Sequence, residues 1–393
     1  MSNFIEAILE LPKLYYGALL GIGFFVYYLS QVVKKPLLVC AQGPFRNFLE
    51  EQVPLVKNKH WPTLWCFESR AQTIIASLLR ARLLPIIKYR REMFTLADGG
   101  EIALDWAEQN CSTTSPIVVI LPGLTGASQS EYVKCLVLAA KTAGIRCIIS
   151  NYRGLGGVRL KTSRTYCASN SDDLAEVIEH VKKLNPHVPM GVTGISLGGL
   201  ILGNYLAHQG LAAKDKLKGC FIISVPWNVF EATRSTEENY LNLMLNKHLT
   251  SSLRRYLRSN TSNITHELYK LHERDIDIDI VYKSQTVREF DSNFTAKAFG
   301  YKNVEEYYTN ASIHDKLHSI EVPLLCLSAA DDPFQPLEAI PLGEINKSKN
   351  VAVVVTSRGG HIAFLEGVWP VKGEEYMARL FSQFFTALFT TGF

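Results

Sequence analysis

A serine stands between two glycines, each two positions away, in Gly194-Ile195-Ser196-Leu197-Gly198, directly after an apolar run that ends at Thr193. A serine hydroxyl becomes a useful nucleophile when a base takes its proton and a sharp strand-to-helix turn holds it out from the chain. Such a turn brings strand and helix so close that the neighbours at both sides must be tiny, which Gly194 and Gly198 satisfy. Glycine and serine are common enough that the bare pattern arises by chance in roughly one chain in ten of this length, so its strand-turn-helix context carries the weight.

Acyl transfer from such a serine also needs two N–H donors aimed at the developing oxyanion. The helix opening at Leu197 supplies one, and the loop Leu121-Pro122-Gly123-Leu124-Thr125-Gly126, placed after another apolar run, supplies the second at Leu124. Ten histidines are present. His361 is the candidate base: it follows a late strand in Ser357-Arg358-Gly359-Gly360-His361, where two glycines let a loop carry the imidazole over the sheet edge. His60, His187, His208 and His272 read as solvated or capping residues. The acid belongs between serine and histidine in chain order, where Asp331 and Asp332 both qualify. Asp332 is preferred because Pro333 and Pro336 stiffen the turn after it, leaving Asp331 as a turn cap.

These residues need a parallel sheet to position them. Met93–Ala97 and Ile102–Trp106 flank the hairpin signal Asp98-Gly99-Gly100. Buried-strand runs follow at Ile117–Leu121, Cys147–Ser150, Met190–Thr193, Cys220–Ser224, Leu324–Ser328 and Val351–Val355. Helical patterns at Glu131–Lys141, Asp172–Lys183 and Leu197–His208 alternate with them, which requires right-handed crossovers and a doubly wound, mostly parallel α/β sheet. The rhythm lapses after Trp227. The expected organisation is an N-terminal membrane anchor over 1–35, a helical membrane-proximal segment over 36–90, a core over 91–228, a helical lid insertion over 229–319, and the rest of the core over 320–393.

From Leu14 to Val33 the chain is uncharged for about 20 residues, the length that spans ~30 Å of hydrocarbon. Tyrosines mark both ends, and Lys34, Lys35 and Pro36 stop it. Glu6 and Glu10 in the leader and the basic exit argue against a cleaved signal peptide. A single-pass protein of the endoplasmic reticulum or another intracellular membrane is expected. Lys34 and Lys35 favour a cytosolic body, while sequons at Asn110, Asn260, Asn263, Asn293, Asn310 and Asn346 permit a luminal one. Ser69–Arg80 reads as an amphipathic helix, and Arg80–Arg91 mixes apolar and basic residues as a solvated or membrane-surface helix would.

The net charge of +4, without a basic block, gives no support to a nucleic-acid partner. Eight scattered cysteines show neither a CxxC pair nor zinc-site spacing and read as free thiols. No cofactor, metal or protein partner is called for.

Together, these residues and the stretches Trp61–Glu68 (WPTLWCFE), Asp98–Gly100, Leu121–Gly126, Arg288–Asp291 (REFD), Phe299–Tyr301 and Gly359–Gly367 (GGHIAFLEG) resemble the α/β-hydrolase family. Within it they resemble the abhydrolase-domain-containing phospholipases of types one and three, over nearly the whole chain. The resemblance implies a membrane-anchored serine hydrolase with Ser196, Asp332 and His361 as its triad. It also implies action on phosphatidylcholines with a medium-length or oxidatively shortened acyl chain. One departure is Tyr152, where the pattern calls for a second asparagine, and it bears on acyl-chain preference. Two rivals use the same features: an acyltransferase or thioesterase with this triad, and a silent lipid- or protein-binding module of the same fold.

Overall fold

The computed structural model describes residues 13–261, 275–370 and 375–392. In chain order the elements that matter are α1 (Lys13–Tyr27), β1 (Leu37–Val39), α2 (Pro44–Gln52), α3 (Ser69–Leu83), β2 (Arg90–Thr95) and β3 (Glu101–Ala107). Then come β4 (Ile117–Leu121), α4 (Glu131–Thr142), β5 (Arg146–Ser150), α5 (Asp172–Leu184), β6 (Met190–Ile195), α6 (Leu197–Gln209) and β7 (Gly219–Ile223). The helices α7 (Val229–Glu238), α8 (Tyr240–Thr261) and α9 (Val304–Ala311) precede β8 (Leu324–Ala329), β9 (Val351–Thr356) and α10 (Tyr376–Thr390).

The nine strands form one sheet in the order β1-β9-β8-β7-β6-β4-β5-β3-β2. From β9 through β5 every pairing is parallel, and antiparallel strands close both edges. Strands buried on both faces must be apolar throughout, which is why β4, β5 and β7 show no polar alternation. Their side chains still divide by the period of two. Val119, Leu121, Cys220 and Ile222 pack with α5 and α6, whereas Val118, Ile120, Phe221 and Ile223 pack with α4 and α10. The order reverses at β4, whose neighbours β5 and β6 leave it in opposite directions, and ligands of open α/β sheets bind outside the carboxyl ends of strands at such a point. Among the described residues from Val229 to Ser319 no strand interrupts the helices, and Val229, Leu253, Phe290 and Tyr308 of this insertion line the cavity at Ser196.

Several expectations change. Residues 36–90 include strand β1, which pairs with β9 and was too short to show a period. No helix runs from Arg80 to Arg91: α3 ends at Leu83, because the proline at 85 bars helical backbone at the residue before it. Arg80 lies not on a solvated or membrane face but in the core, 2% exposed, donating to Glu375 through Nε at 2.8 Å. Asn260 is also buried and hydrogen-bonded to Gly154 and Leu160, so its sequon is inaccessible in the folded chain. Asn263, Glu6 and Glu10 lie outside the described residues.

No helix among the described residues is long and apolar enough to cross a membrane. Helix α1 has 15 residues, about 22 Å of length. Most of its described apolar side chains are exposed, Leu20 by 75%, although the Phe24 and Tyr27 rings already approach Phe67, and the helix ends before Tyr28. There it enters the body: Tyr28, Val32 and Val33 pack against Leu64 and Phe67, and the Tyr28 hydroxyl donates to the Pro62 carbonyl at 2.6 Å.

Breaking a buried ion pair leaves a charge without solvent or partner, which costs about 3–5 kcal/mol. Arg80→Met should therefore lose stability of that order in urea titrations, and adding Glu375→Leu should restore most of it. An additive loss in the double variant would contradict the pairing.

Candidate active site

Ser196 sits between β6 and α6 with φ 52° and ψ −114°, a conformation L residues seldom hold. The turn is this tight because the flanking backbones touch. A Cβ built on Gly194 would lie 2.4 Å from the Gly198 carbonyl oxygen, and one on Gly198 would lie 2.4 Å from that of Leu121. Any side chain at either place would push β4, β6 and α6 apart.

The structure brings Ser196, His361 and Asp332 into one hydrogen-bonded row. His361 Nε2 is 3.0 Å from Ser196 Oγ, and His361 Nδ1 is 2.9 Å from Asp332 Oδ2 and 3.1 Å from Oδ1. Asp332 is buried and accepts the Phe334 N–H at 2.8 Å, while the Phe334 ring packs against the imidazole at 4.5 Å between centroids. Asp331 points elsewhere. Its Oδ1 accepts the Gly360 N–H at 3.1 Å, Arg358 lies 3.8 Å from Oδ2, and burial pushes its pKa up to about 6. The two adjacent aspartates thus have separate jobs, one against the imidazole and one against the loop that carries it.

That loop has help the sequence did not announce. The His361 N–H donates to Thr73 Oγ1 at 2.9 Å and the Leu365 N–H to Gln72 Oε1 at 3.1 Å. Arg80 donates to the carbonyls of Ile362 and Ala363. All three partners lie on α3, nearly 300 residues upstream, and nothing local in a sequence marks such contacts. Gly360, at φ +53°, passes so close to α3 that a Cβ would lie 2.4 Å from the Ser69 carbonyl oxygen.

On the other side of Ser196, the loop after β4 places Leu124 at the cavity wall beside Leu197. The neighbours of Leu124 are engaged: Gly123 N–H donates to Tyr132 Oη at 3.0 Å and Thr125 N–H to Tyr166 Oη at 3.1 Å. The cavity holds about 260 Å³ and runs from Ser196 and His361 to the helices of the insertion. Its wall is mostly apolar, with Leu200, Leu249, Leu253, Phe290 and Phe294. A serine polarised by an imidazole at the mouth of such a cavity can attack the carbonyl of an ester whose acyl chain lies inside.

A family profile described as alpha/beta hydrolase fold matches residues 116–368. The chain belongs to that family and is an ester hydrolase. It is 40% identical to the human protein named Phospholipase ABHD3 over 386 residues, covering 96% of this chain and 91% of that one. The bovine protein of the same name is 40% identical over 378 residues, with 95% and 89% covered. Among solved structures, a serine hydrolase from Cycloclasticus zankles superposes with a TM-score of 0.50 at 15% identity, covering 77% of this chain and 99% of that one, a likeness of fold.

One polar wall residue stands out. Asp291, last residue of the REFD stretch, accepts the hydroxyls of Thr295 at 2.7 Å and Tyr308 at 3.2 Å, yet burial still pushes its pKa up to about 7. Between about 3.8 and about 7 the folded chain keeps a proton that the unfolded chain has released, so stability falls as pH rises through that window. Asp291→Asn keeps an acceptor oxygen and removes the titration. Calorimetry should find it melting on the order of a few degrees above the wild type at pH 8, with the gap closing by pH 4. An equal gap at both pH values would contradict this.

Proposed function

We propose that the chain is a membrane-associated lipid ester hydrolase, a phospholipase, working through an acyl-enzyme on Ser196. The observation that carries this reading is the row Asp332–His361–Ser196 opening on an apolar cavity. Ser196 Oγ attacks the ester carbonyl as its proton passes to His361 Nε2, and the carbonyl π electrons become an oxyanion held by the Leu124 and Leu197 N–H groups. Collapse of this intermediate breaks the acyl–oxygen bond, and the proton goes from His361 to the leaving alcohol. Water then repeats the sequence and frees the fatty acid. Asp332 keeps Nδ1 protonated and stabilises the imidazolium.

The names of the relatives favour a lipid: Phospholipase ABHD3, and the human Monoacylglycerol lipase ABHD2, 26% identical over 91% of this chain. So does the cavity, which is slightly under the ~300 Å³ at which sites for small organic ligands begin, and which suits one shorter acyl chain while the rest of the lipid stays outside. Phosphatidylcholines with such a chain are the proposed substrates. Attachment to a membrane through the N-terminal segment is supported by the exposed apolar flank of α1, where Leu19, Ile22, Phe25 and Val26 face outward.

Fluorophosphonate labelling and turnover of a lipid panel, with and without an added alcohol acceptor, test the reading. Wild type should label and release fatty acid, and Ser196→Ala should do neither. Asp332→Asn should lose about 10³–10⁴-fold in kcat, while Asp331→Asn, with Gly360 still bonded, stays within about threefold of wild type. An unlabelled wild type would favour a binding module, and acyl transfer to the alcohol in preference to water would favour an acyltransferase.

A further inference from the structure

Three tyrosine hydroxyls meet two peptide groups of the loop that carries Leu124, Pro122–Gly123 and Leu124–Thr125. Tyr152 donates to the Pro122 carbonyl at 2.7 Å, Tyr132 accepts from the Gly123 N–H at 3.0 Å, and Tyr166 accepts from the Thr125 N–H at 3.1 Å. Between these two lies the peptide that bears the Leu124 N–H, and its Gly123 carbonyl accepts the Gly126 N–H at 2.9 Å. Tyr152 and Tyr166 are stacked, 4.6 Å between centroids and 14° between planes, so the two hydroxyls are fixed relative to one another. Thr125 needs such a hold, because its φ of 57° is unfavourable for a β-branched residue. Tyr166 also meets the lid: Tyr256 of α8 approaches it edge-on at 5.5 Å, and the Tyr256 hydroxyl donates to the Arg153 carbonyl at 2.9 Å.

We infer that Tyr166 is a positioning residue of the oxyanion site, which aligns the Leu124 N–H through Thr125 and, by its edge contact with Tyr256, ties that alignment to the lid helix α8. This rests on the reading of Ser196 and Leu124 given above. The backbone strain at Thr125 is sustained by the Tyr166 hydroxyl. Without that acceptor the Leu124–Thr125 peptide can rotate, which disturbs the turn closed by the Gly126 N–H on the Gly123 carbonyl, and the adjoining peptide that bears the Leu124 N–H loses its aim. An oxyanion donor contributes when it is already oriented as charge develops, so misalignment affects the transition state far more than substrate binding.

The test uses the full chain and two probes: a soluble short-chain ester, and a trifluoromethyl ketone whose carbonyl carbon is attacked by Ser196 Oγ, with the proton moving to His361 and the carbonyl becoming the oxyanion. Tyr166→Phe should lower kcat by about 10–50-fold with KM within twofold, and weaken the ketone's affinity by a similar factor. Binding of the corresponding non-fluorinated ketone, which forms no oxyanion, should be unchanged. Tyr132→Phe, on the other side of Leu124, gives a second variant with the same expected pattern. Tyr256→Leu, which removes the edge contact, should reduce kcat and ketone affinity together, and its effect should not add to that of Tyr166→Phe. If wild type forms the ketone adduct, Ser196→Ala does not, and Tyr166→Phe matches wild type, the positioning role is overturned while the nucleophile stands. A rise in KM matched by equal losses of affinity for both ketones, or an additive Tyr256→Leu, would equally overturn it. Unimpaired turnover by Ser196→Ala would remove the reading beneath it.

Discussion

The segment from Ser357 to Leu365 belongs to no helix or strand, yet the imidazole it carries must stay within hydrogen-bond reach of a hydroxyl 165 positions upstream. That constraint is met by bonds from four separate parts of the chain. Ser357 donates to Val32, Gly360 to Asp331, His361 to Thr73, Ile362 to Ser224 and Leu365 to Gln72, while Arg80 reaches two carbonyls between them. A loop left to itself samples many conformations, and fixing each residue costs about 1–2 kcal/mol, so a dense set of partners is required to hold one.

The same economy of strain extends across the site. Seven non-glycine residues among those described have positive φ, and five of them are Thr125, Ser196, Ser224, Ile362 and Phe364. Strained backbone persists where its surroundings over-determine it, and each of these lies in or against the serine turn, the histidine loop or the loop opposite. The helical insertion joins this framework directly. Ser235 and Asn242 both donate to the Pro333 carbonyl, beside the carboxylate that faces His361, and Arg70 of α3 donates to Asn242. Arg358 also reaches the Tyr27 hydroxyl at the end of α1, so the apolar N-terminal helix is joined to the loop that presents the imidazole.

Legibility followed the range of the interactions. The six parallel strands could be read because each is buried on both faces and so shows an unbroken apolar run. Ser196 was visible because the close approach of β4, β6 and α6 writes glycines at fixed offsets, and Asp332 stood apart from Asp331 because the turn after it contains two prolines. Contacts between residues distant in sequence left no such trace. Arg80 looked like a surface charge, since burial of an arginine depends on Glu375 being 295 positions away. Gln72, Thr73, Tyr132 and Tyr166 looked ordinary for the same reason, and β1 with three residues is too short for any period to appear. Tyr152, met as a departure from the family pattern, proves to be the residue that fastens the Pro122 carbonyl and stacks on Tyr166.

Turnover through Ser196 requires a covalent bond to one oxygen. Rapid mixing of the full chain with an activated ester of a medium-length fatty acid, acid quenching within the first turnover, and peptide mass spectrometry would locate the acyl group. A burst of released alcohol equal to the enzyme concentration, with the acyl mass on the peptide containing Ser196, is the predicted result. Steady turnover with no acylated peptide, or acylation at another residue, would contradict it.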